Sequence, residues 1–389
     1  MGQVNITLQD GQLGATLATS DGVAGMVLTG KPDDGGYILN TPVLLTAMPS
    51  LSVAGITAGS NPFCYKQVKE FYNEAGAGAK LYLMLVASTQ TIDLICDDTN
   101  ATGAKALLDY AGGAIKILGV ATDDTLVTVT SVTHGINDAV LAARDNMEEM
   151  ALAYYAAQRP FRCLIGGTSY QGTPGSLSIL NSGTSNNRTA ILIGDTDTAY
   201  SSVGACVGLV LGRLAAIPVM RKLSRVRTGA MTTSTAYLGS AVLESVPGDD
   251  SVISEAGYIT WTTYPNVSGY YLSGDDTCSA TTDDYHFLAR GRVIDKAQIL
   301  AYAVFVQEVD DEVPVAPDGT IDKGFAAWLQ QQIINMIQQT MVANNECSGV
   351  DCFIDPNQNI LSTNVLKVVL KIRPVGYSSD IEISLGFEA

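Results

Sequence analysis

Leu366-Lys-Val-Val-Leu-Lys-Ile-Arg373 and, after a link containing Pro374 and Gly376, Ile381-Glu-Ile-Ser-Leu-Gly-Phe387 are the stretches on which the reading of this chain turns. In the first, Leu366, Val368, Leu370 and Ile372 alternate with Lys367, Lys371 and Arg373; in the second, Ile381, Ile383, Leu385 and Phe387 alternate with Glu382, Ser384 and Glu388. Period-two alternation is the pattern of half-buried strands. The second run reaches almost to Ala389, where a chain frays unless something ties it down. This end is therefore expected to pair, with its own chain or with a neighbour. The other end poses the same problem. Val4, Ile6 and Leu8 face one way and Gln3, Asn5 and Thr7 the other, followed by a joint at Gly11 and Gly14. A lone strand cannot bury its apolar face unaided, so this one must dock on a sheet elsewhere.

Between these ends the chain reads as α/β. Candidate strands are Val23–Leu28, Lys80–Ala87, Ile115–Val120, Leu126–Val132, Phe161–Ile165 and Ala190–Ile193; candidate helices are Pro62–Asn73, Thr102–Ala111, Asn137–Gln158 and the small-residue run Ser201–Leu214. Residues 31–36 read as a turn. Strands alternating with helices imply a parallel or mixed sheet covered by helices. From Pro218 to about Asp284 the reading becomes β-rich, with strands at Val242–Pro247, Tyr258–Tyr264 and Tyr270–Leu272 and a polar boundary at Asp275–Asp284. Two amphipathic helices follow, Gly291–Val309 and one running from an Asp322 cap to about Val342 with Phe325, Trp328, Leu329, Ile333, Met336 and Ile337 on its stripe. A strand at Val350–Ile354 precedes the two terminal strands. The domains expected are an arm and linker over 1–20, an α/β domain over 21–285 that is β-rich around 218–285, and a C-terminal domain over 286–389 ending in an arm at 374–389.

Composition excludes several functions. A formal net charge of −17 argues against nucleic acid, whose phosphates need a basic surface. No apolar run reaches membrane-spanning length, and no signal peptide opens the sequence. The seven cysteines show no metal spacing. Cys163 and Cys206 read as small core residues; Cys347 and Cys352 flank a short loop, either as thiols or as a bridge, and expected folding in a reducing cytoplasm favours thiols.

Catalytic motifs are weak. The histidines, His134 and His286, have no ligand set at metal spacing, and Gly167-Thr-Ser169-Tyr-Gln-Gly172 is one residue too long for a nucleophile elbow. Gly76-Ala-Gly-Ala-Lys80 follows a helix and opens a strand, the reverse of a phosphate loop. The acidic pairs, Asp123/Asp124, Asp275/Asp276 and Asp310/Asp311 among them, read as solvated loop tips rather than cation sites. No cofactor or metal is expected. Arg213, Arg221, Lys222, Arg225 and Arg227 form the densest basic stretch, either balanced by nearby acids or meeting an acidic partner.

From Arg290-Gly-Arg-Val-Ile-Asp-Lys-Ala297 through the two helices to Ile360-Leu-Ser-Thr-Asn364 and the terminal strands, the chain resembles the C-terminal domain of contractile tail sheath proteins of phages and related injection systems. Val4-Asn-Ile-Thr-Leu8, Gly11-Gln-Leu-Gly14 and Asp21-Gly-Val-Ala-Gly25 resemble the start of a divergent sheath group. The resemblance implies a subtilisin-like α/β middle with no protease activity, a β-rich insertion, and a C-terminal domain of two helices and a β-hairpin. It implies that Val4, Ile6, Leu8, Ile381, Ile383, Leu385 and Phe387 are donated to neighbouring subunits as strands, with Leu366, Val368, Leu370 and Ile372 as the acceptor edge. Arg290, Arg292, Lys296, Lys367, Lys371 and Arg373 stand out as a basic set on an acidic chain, and the family's lumen-lining domain implies that they face an inner tube. The implied partners are further copies of itself, the inner tail tube protein, and baseplate and tail terminator proteins. The implied place is a virion tail or injection particle, assembled in the bacterial host cytoplasm. The rival readings are another self-assembling virion protein, tube or capsid-type, and an α/β hydrolase-like enzyme.

Overall fold

The computed structural model describes residues 20–32, 36–126, 129, 131–183, 185–379 and 381–386. Val4, Ile6, Leu8 and Phe387 lie outside the described residues, as do 33–35 of the expected turn. The chain forms two compact units, Met1–Asp295 and Lys296–Ala389.

The first unit is built on a strand with no exposed residue, β1 (Ala24–Gly30). It is followed by β2 (Val43–Leu45), α1 (Pro62–Ala75), β3 (Leu81–Ala87), α2 (Ala104–Ala111), β4 (Ile117–Ala121), α3 (Ala139–Ala156), β5 (Arg162–Gly166), β6 (Thr189–Leu192) and α4 (Val207–Ala216). The sheet order is β2-β3-β1-β4-β5-β6, parallel except for β2. Strands buried on both faces carry apolar side chains throughout rather than alternating, which is why they read as short continuous runs. Helices cover both faces. Val207 and Leu211 of α4 lie over Gly119, whose missing side chain makes room for them, while Cys163, on the opposite face, neighbours Cys96.

Helices α1 and α4 pack with almost no separation. A Cβ at Gly208 would stand 2.1 Å from the Gln67 carbonyl oxygen and one at Gly212 2.5 Å from that of Phe71. Buried Gln67 bridges them, its Nε2 donating to Ala205 O (2.7 Å) and its Oε1 accepting from Gly208 N (2.7 Å). The expected helix over Ser201–Leu214 therefore starts late. Its first residues are turn, because Cys206 N is committed to Gly194 O and Asp124 N to Val203 O.

Other expectations need correction. Of Leu126–Val132, residues 127, 128 and 130 lie outside the described residues and the rest is turn or irregular. Val242–Pro247 is not a strand: only Ala241–Val242 pairs, with Tyr237–Leu238, before a turn of 3-10 helix and α5 (Asp249–Glu255). The helix starts at Gly248, in a left-handed conformation (φ 91°), with Asp249 and Asp250 in its positive-ended first turn. A hairpin of β7 (Trp261–Tyr264) and β8 (Val267–Leu272) follows. Gly76 and Gly78 take φ of 78° and 96°, ending α1 and turning into β3 as a helix stop.

The unit ends in the first turns of α6 (Leu288–Phe305), which are held tightly. Asp275 caps them, its carbonyl accepting from Leu288 N (2.8 Å) and its Oδ2 from Ala289 N (3.2 Å). Arg162 at the start of β5 grips Asp295 through two bonds, Nε to Oδ2 (2.6 Å) and Nη2 to Oδ1 (2.9 Å), and donates to the carbonyls of Asn187 and Gly291. Asp275 is thus buried, not part of a solvated boundary. Asp123 and Asp124 are likewise buried, each accepting hydroxyl protons from threonines, rather than sitting at a loop tip.

Candidate assembly surface of the C-terminal unit

The second unit comprises the later turns of α6, α7 (Lys323–Ile337), and a hairpin of β9 (Gly349–Phe353) and β10 (Val369–Arg373). Asp322 caps α7, its Oδ1 accepting from Phe325 N (2.9 Å). Ala326, Leu329, Ile333 and Ile337 form its buried stripe, whereas Trp328 points outward, 47% exposed. One π turn, Gln338–Val342, extends the helix. Gln330 Oε1 accepts from Ile354 N (2.7 Å) and ties the hairpin to α7. All seven cysteines are free, buried thiols, Cys347 and Cys352 included.

The hairpin is a two-stranded antiparallel sheet with Gly349 opposite Arg373 and Phe353 opposite Val369. Each strand therefore keeps one unpaired edge within the chain's described residues. Leu366, Val368, Leu370 and Ile372 are half-buried, and Lys367, Val369, Lys371 and Arg373 exposed, in the expected alternation, although pairing begins only at Val369. Asp351 stands opposite Lys371 on the outer face. Beyond Pro374 the backbone takes no regular structure over 374–379 and 381–386, so Ile381–Leu385 is not a strand in the isolated chain. Its apolar residues are uncovered: Ile381, Ile383 and Leu385 are 76%, 80% and 96% exposed.

Beside the hairpin a groove of about 820 Å³ opens between the end of α6, the 308–315 loop, α7 and residues 360–368. It is lined by the apolar Phe305, Val309, Val313 and Leu366 and by the acidic Glu308, Asp310 and Asp311, with Val309 itself exposed.

The six cations singled out in the sequence occupy different surroundings. Lys367, Lys371 and Arg373 are exposed along the hairpin. Arg292 is buried and donates to Ile217 O (3.2 Å), Lys296 pairs with Glu346 (2.7 Å), and Arg290 lies over the Phe287 ring (5.3 Å). Catalytic candidates do not converge either. Ser169 Oγ donates to buried Asp124 (2.6 Å), His134 Nδ1 lies 2.9 Å from Asp138, and His286 Nε2 lies 3.0 Å from Asp276. Among the described residues no group of three or more His, Cys, Asp or Glu could hold a metal, and no helix is long and apolar enough to cross a membrane. The sequence reading missed the Arg162–Asp295 clasp. Its local trace was an arginine opening an otherwise apolar run, and its two halves lie far apart in the chain.

Comparison with known families covers nearly the whole chain. The family model described as DUF2586, N-terminal domain, matches residues 1–276, and that described as DUF2586, C-terminal domain, matches residues 284–389. The chain belongs to the DUF2586 family. No curated protein matches this DUF2586 sequence. Solved structures with a similar fold include the helical sheath of the anti-feeding prophage in its contracted state (TM-score 0.61, 11% identity, covering 99% of this chain and 97% of that one). The sheath complex of the PVC extracellular contractile injection system, also contracted, matches to the same extent (TM-score 0.61, 11% identity, 99% and 97%). A sheath tail protein from Desulfitobacterium hafniense is more distant (TM-score 0.50, 10% identity, 96% and 100%). At these identities the likeness is one of fold: the described residues of this DUF2586 chain have a mixed α/β fold like that of contractile sheath subunits.

Proposed function

We propose that the chain is the structural subunit of a contractile sheath. It polymerises helically around an inner tube and, on contraction, drives that tube through a target envelope. The observation that carries this reading is the match in fold to sheath chains, 99% of this chain on 97% of the anti-feeding prophage sheath. Further copies of the chain, the tube, the baseplate and the tail terminator are the partners of this reading, and a virion tail or injection particle its location.

Assembly by strand donation is part of the proposal. The hairpin has open edges, and main-chain hydrogen bonds there would supply affinity while alternating side chains fix register. Val4–Leu8 and Ile381–Phe387 are the donated strands, and Leu366–Ile372 the acceptor segment. The exposed apolar residues Ile381, Ile383 and Leu385 support this, since burying them on a neighbour would contribute about 1.5–3 kcal/mol each. Lys367, Lys371 and Arg373 are the cations exposed enough to meet a tube, whereas Arg290, Arg292 and Lys296 are engaged within the subunit. We likewise propose that the six-stranded layer corresponds to a subtilisin-like domain, with the domain boundary near residue 285. Head-to-tail contacts of this kind do not close on themselves, so they build a tube.

Negative-stain electron microscopy of the purified chain, with and without residues 1–10, tests the reading. Tubes or stacked rings from the full chain, lost on truncation, are expected. Monodisperse monomers in both samples would refute self-assembly.

A further inference from the structure

The densest basic stretch of the sequence resolves into two parts. Arg213 is buried and pairs with Glu74 (2.6 Å), and Lys222 lies 3.5 Å from Asp275. Arg225 and Arg227 instead project from an exposed 3-10 turn, Val226–Thr228, with Val226 uncovered between them. Arg221 is half-buried beside them, its guanidinium depressed first by burial and then by the charge of Arg225. Among the described residues none of the three arginines forms an ion pair. The mirror image lies in the other unit. Glu308, Asp310 and Asp311 line the groove, and they too have no ion pair among the described residues.

We propose that this turn of one copy seats in the groove of another copy. Val226 packs on the exposed Val309 and on Val313, and Arg225 and Arg227 meet Glu308, Asp310 and Asp311 beside them.

Three observations point to a second copy as the occupant. The two surfaces match in both hydropathy and charge: exposed Val226 stands between Arg225 and Arg227, and exposed Val309 between Glu308 and Asp310. Each copy carries one of each, so the contact is heterologous and propagates. And a chain of net charge −17 repels its copies, so polymerisation needs local complementarity where they touch. The chain's own C-terminal arm, with Asp380, Glu382 and Glu388, would bring like charge to the groove. The N-terminal arm, with only Asp10 over residues 1–10, is the competing occupant. The inference rests on the sheath reading in one respect, that copies of this chain polymerise.

The test is a charge swap read as the critical concentration for polymer formation, by pelleting and electron microscopy. Arg225→Glu/Arg227→Glu and Asp310→Lys/Asp311→Lys are each expected to raise it at least about tenfold, and the fourfold variant to return to within about threefold of wild type. All substituted side chains are exposed, and a circular dichroism melt checks that each variant folds. A second readout is independent of the swap: in assembled particles, Val226→Cys should cross-link with Val309→Cys of another copy through a short bismaleimide. Wild-type polymers with indifferent double variants, a fourfold variant as impaired as its parents, or cross-linking of Val309→Cys to Val4→Cys instead of Val226→Cys would each overturn the inference and leave the sheath reading standing. Failure of the wild-type chain to polymerise would remove both.

Discussion

At the scale of the residue, Arg162 shows how much one buried charge organises. It opens a strand whose other members are apolar, and it is 1% exposed. Its guanidinium meets Asp295 in the two-bond geometry that suits arginine and no other side chain. Removing one partner of a buried pair leaves the other charged and unsolvated. Asp295→Ala is therefore expected to cost about 3–5 kcal/mol in urea denaturation; unfolding at the wild-type midpoint would refute the clasp. Gly291 belongs to the same site, because a Cβ there would lie 2.5 Å from Arg162 Cζ. Gly291→Ala is expected to cost about 1–3 kcal/mol by displacing the guanidinium. The Arg290–Ala297 stretch stood out in the sequence, but the reason for its glycine and aspartate did not. Their partner is in a distant strand, β5, and nothing in local spacing announces it.

At the scale of the element, helix starts are where local chemistry decides most. Asp322 was legible as a cap because an aspartate before an amphipathic run accepts the free N–H groups of the first turn. Asp322→Ala is expected to destabilise by about 1 kcal/mol and to speed amide exchange in the first turn of α7. Asp275 does the same for α6 but reads in the sequence as part of a solvated acidic stretch. Burial pushes its carboxyl up to about 6, against the opposing pull of Lys222. Between an unfolded value of about 4 and that folded value, the folded chain keeps a proton that the unfolded chain releases. Stability is then expected to fall by roughly 3 kcal/mol as pH rises through this window. Asp275→Asn, which keeps an acceptor without the charge, should flatten that slope in urea melts taken between about pH 4 and pH 6.5; an unchanged slope would place the titration elsewhere. The strands of the central sheet were recognisable as apolar runs. The late start of α4 was not, since it depends on which backbone groups a distant segment has already claimed, and neither was the helix at Asp249–Glu255.

For the whole molecule, the question is where its uncovered apolar surface goes. Ile381, Ile383 and Leu385 stand clear of the fold. Deleting residues 381–389 is expected to leave the thermal midpoint within about 1 °C of the full chain, because surface groups without packing contribute little to stability. The same deletion should abolish polymers in the electron microscope. A large loss of thermal stability would mean that the arm folds onto its own subunit. In the proposed assembly the open edge of the hairpin is the receptor for this arm, and the groove beside it is kept for the Arg225–Arg227 turn.

The sequence by itself determined the α/β alternation, the two C-terminal helices, the cap at Asp322, the alternation along Leu366–Arg373 and the likeness to sheath proteins. These rest on periodicity and local hydrogen-bonding chemistry, which act over a few residues. Only the tertiary structure decided the sheet order, the late start of α4, the clasp of Arg162 on Asp295, the burial of Asp123, Asp124 and Asp275, and which cations remain exposed. A charged side chain has the same letter whether it is solvated or buried against its opposite. For Arg162 the difference lies in Asp295, more than a hundred residues away, brought near only when the sheet and its helices pack.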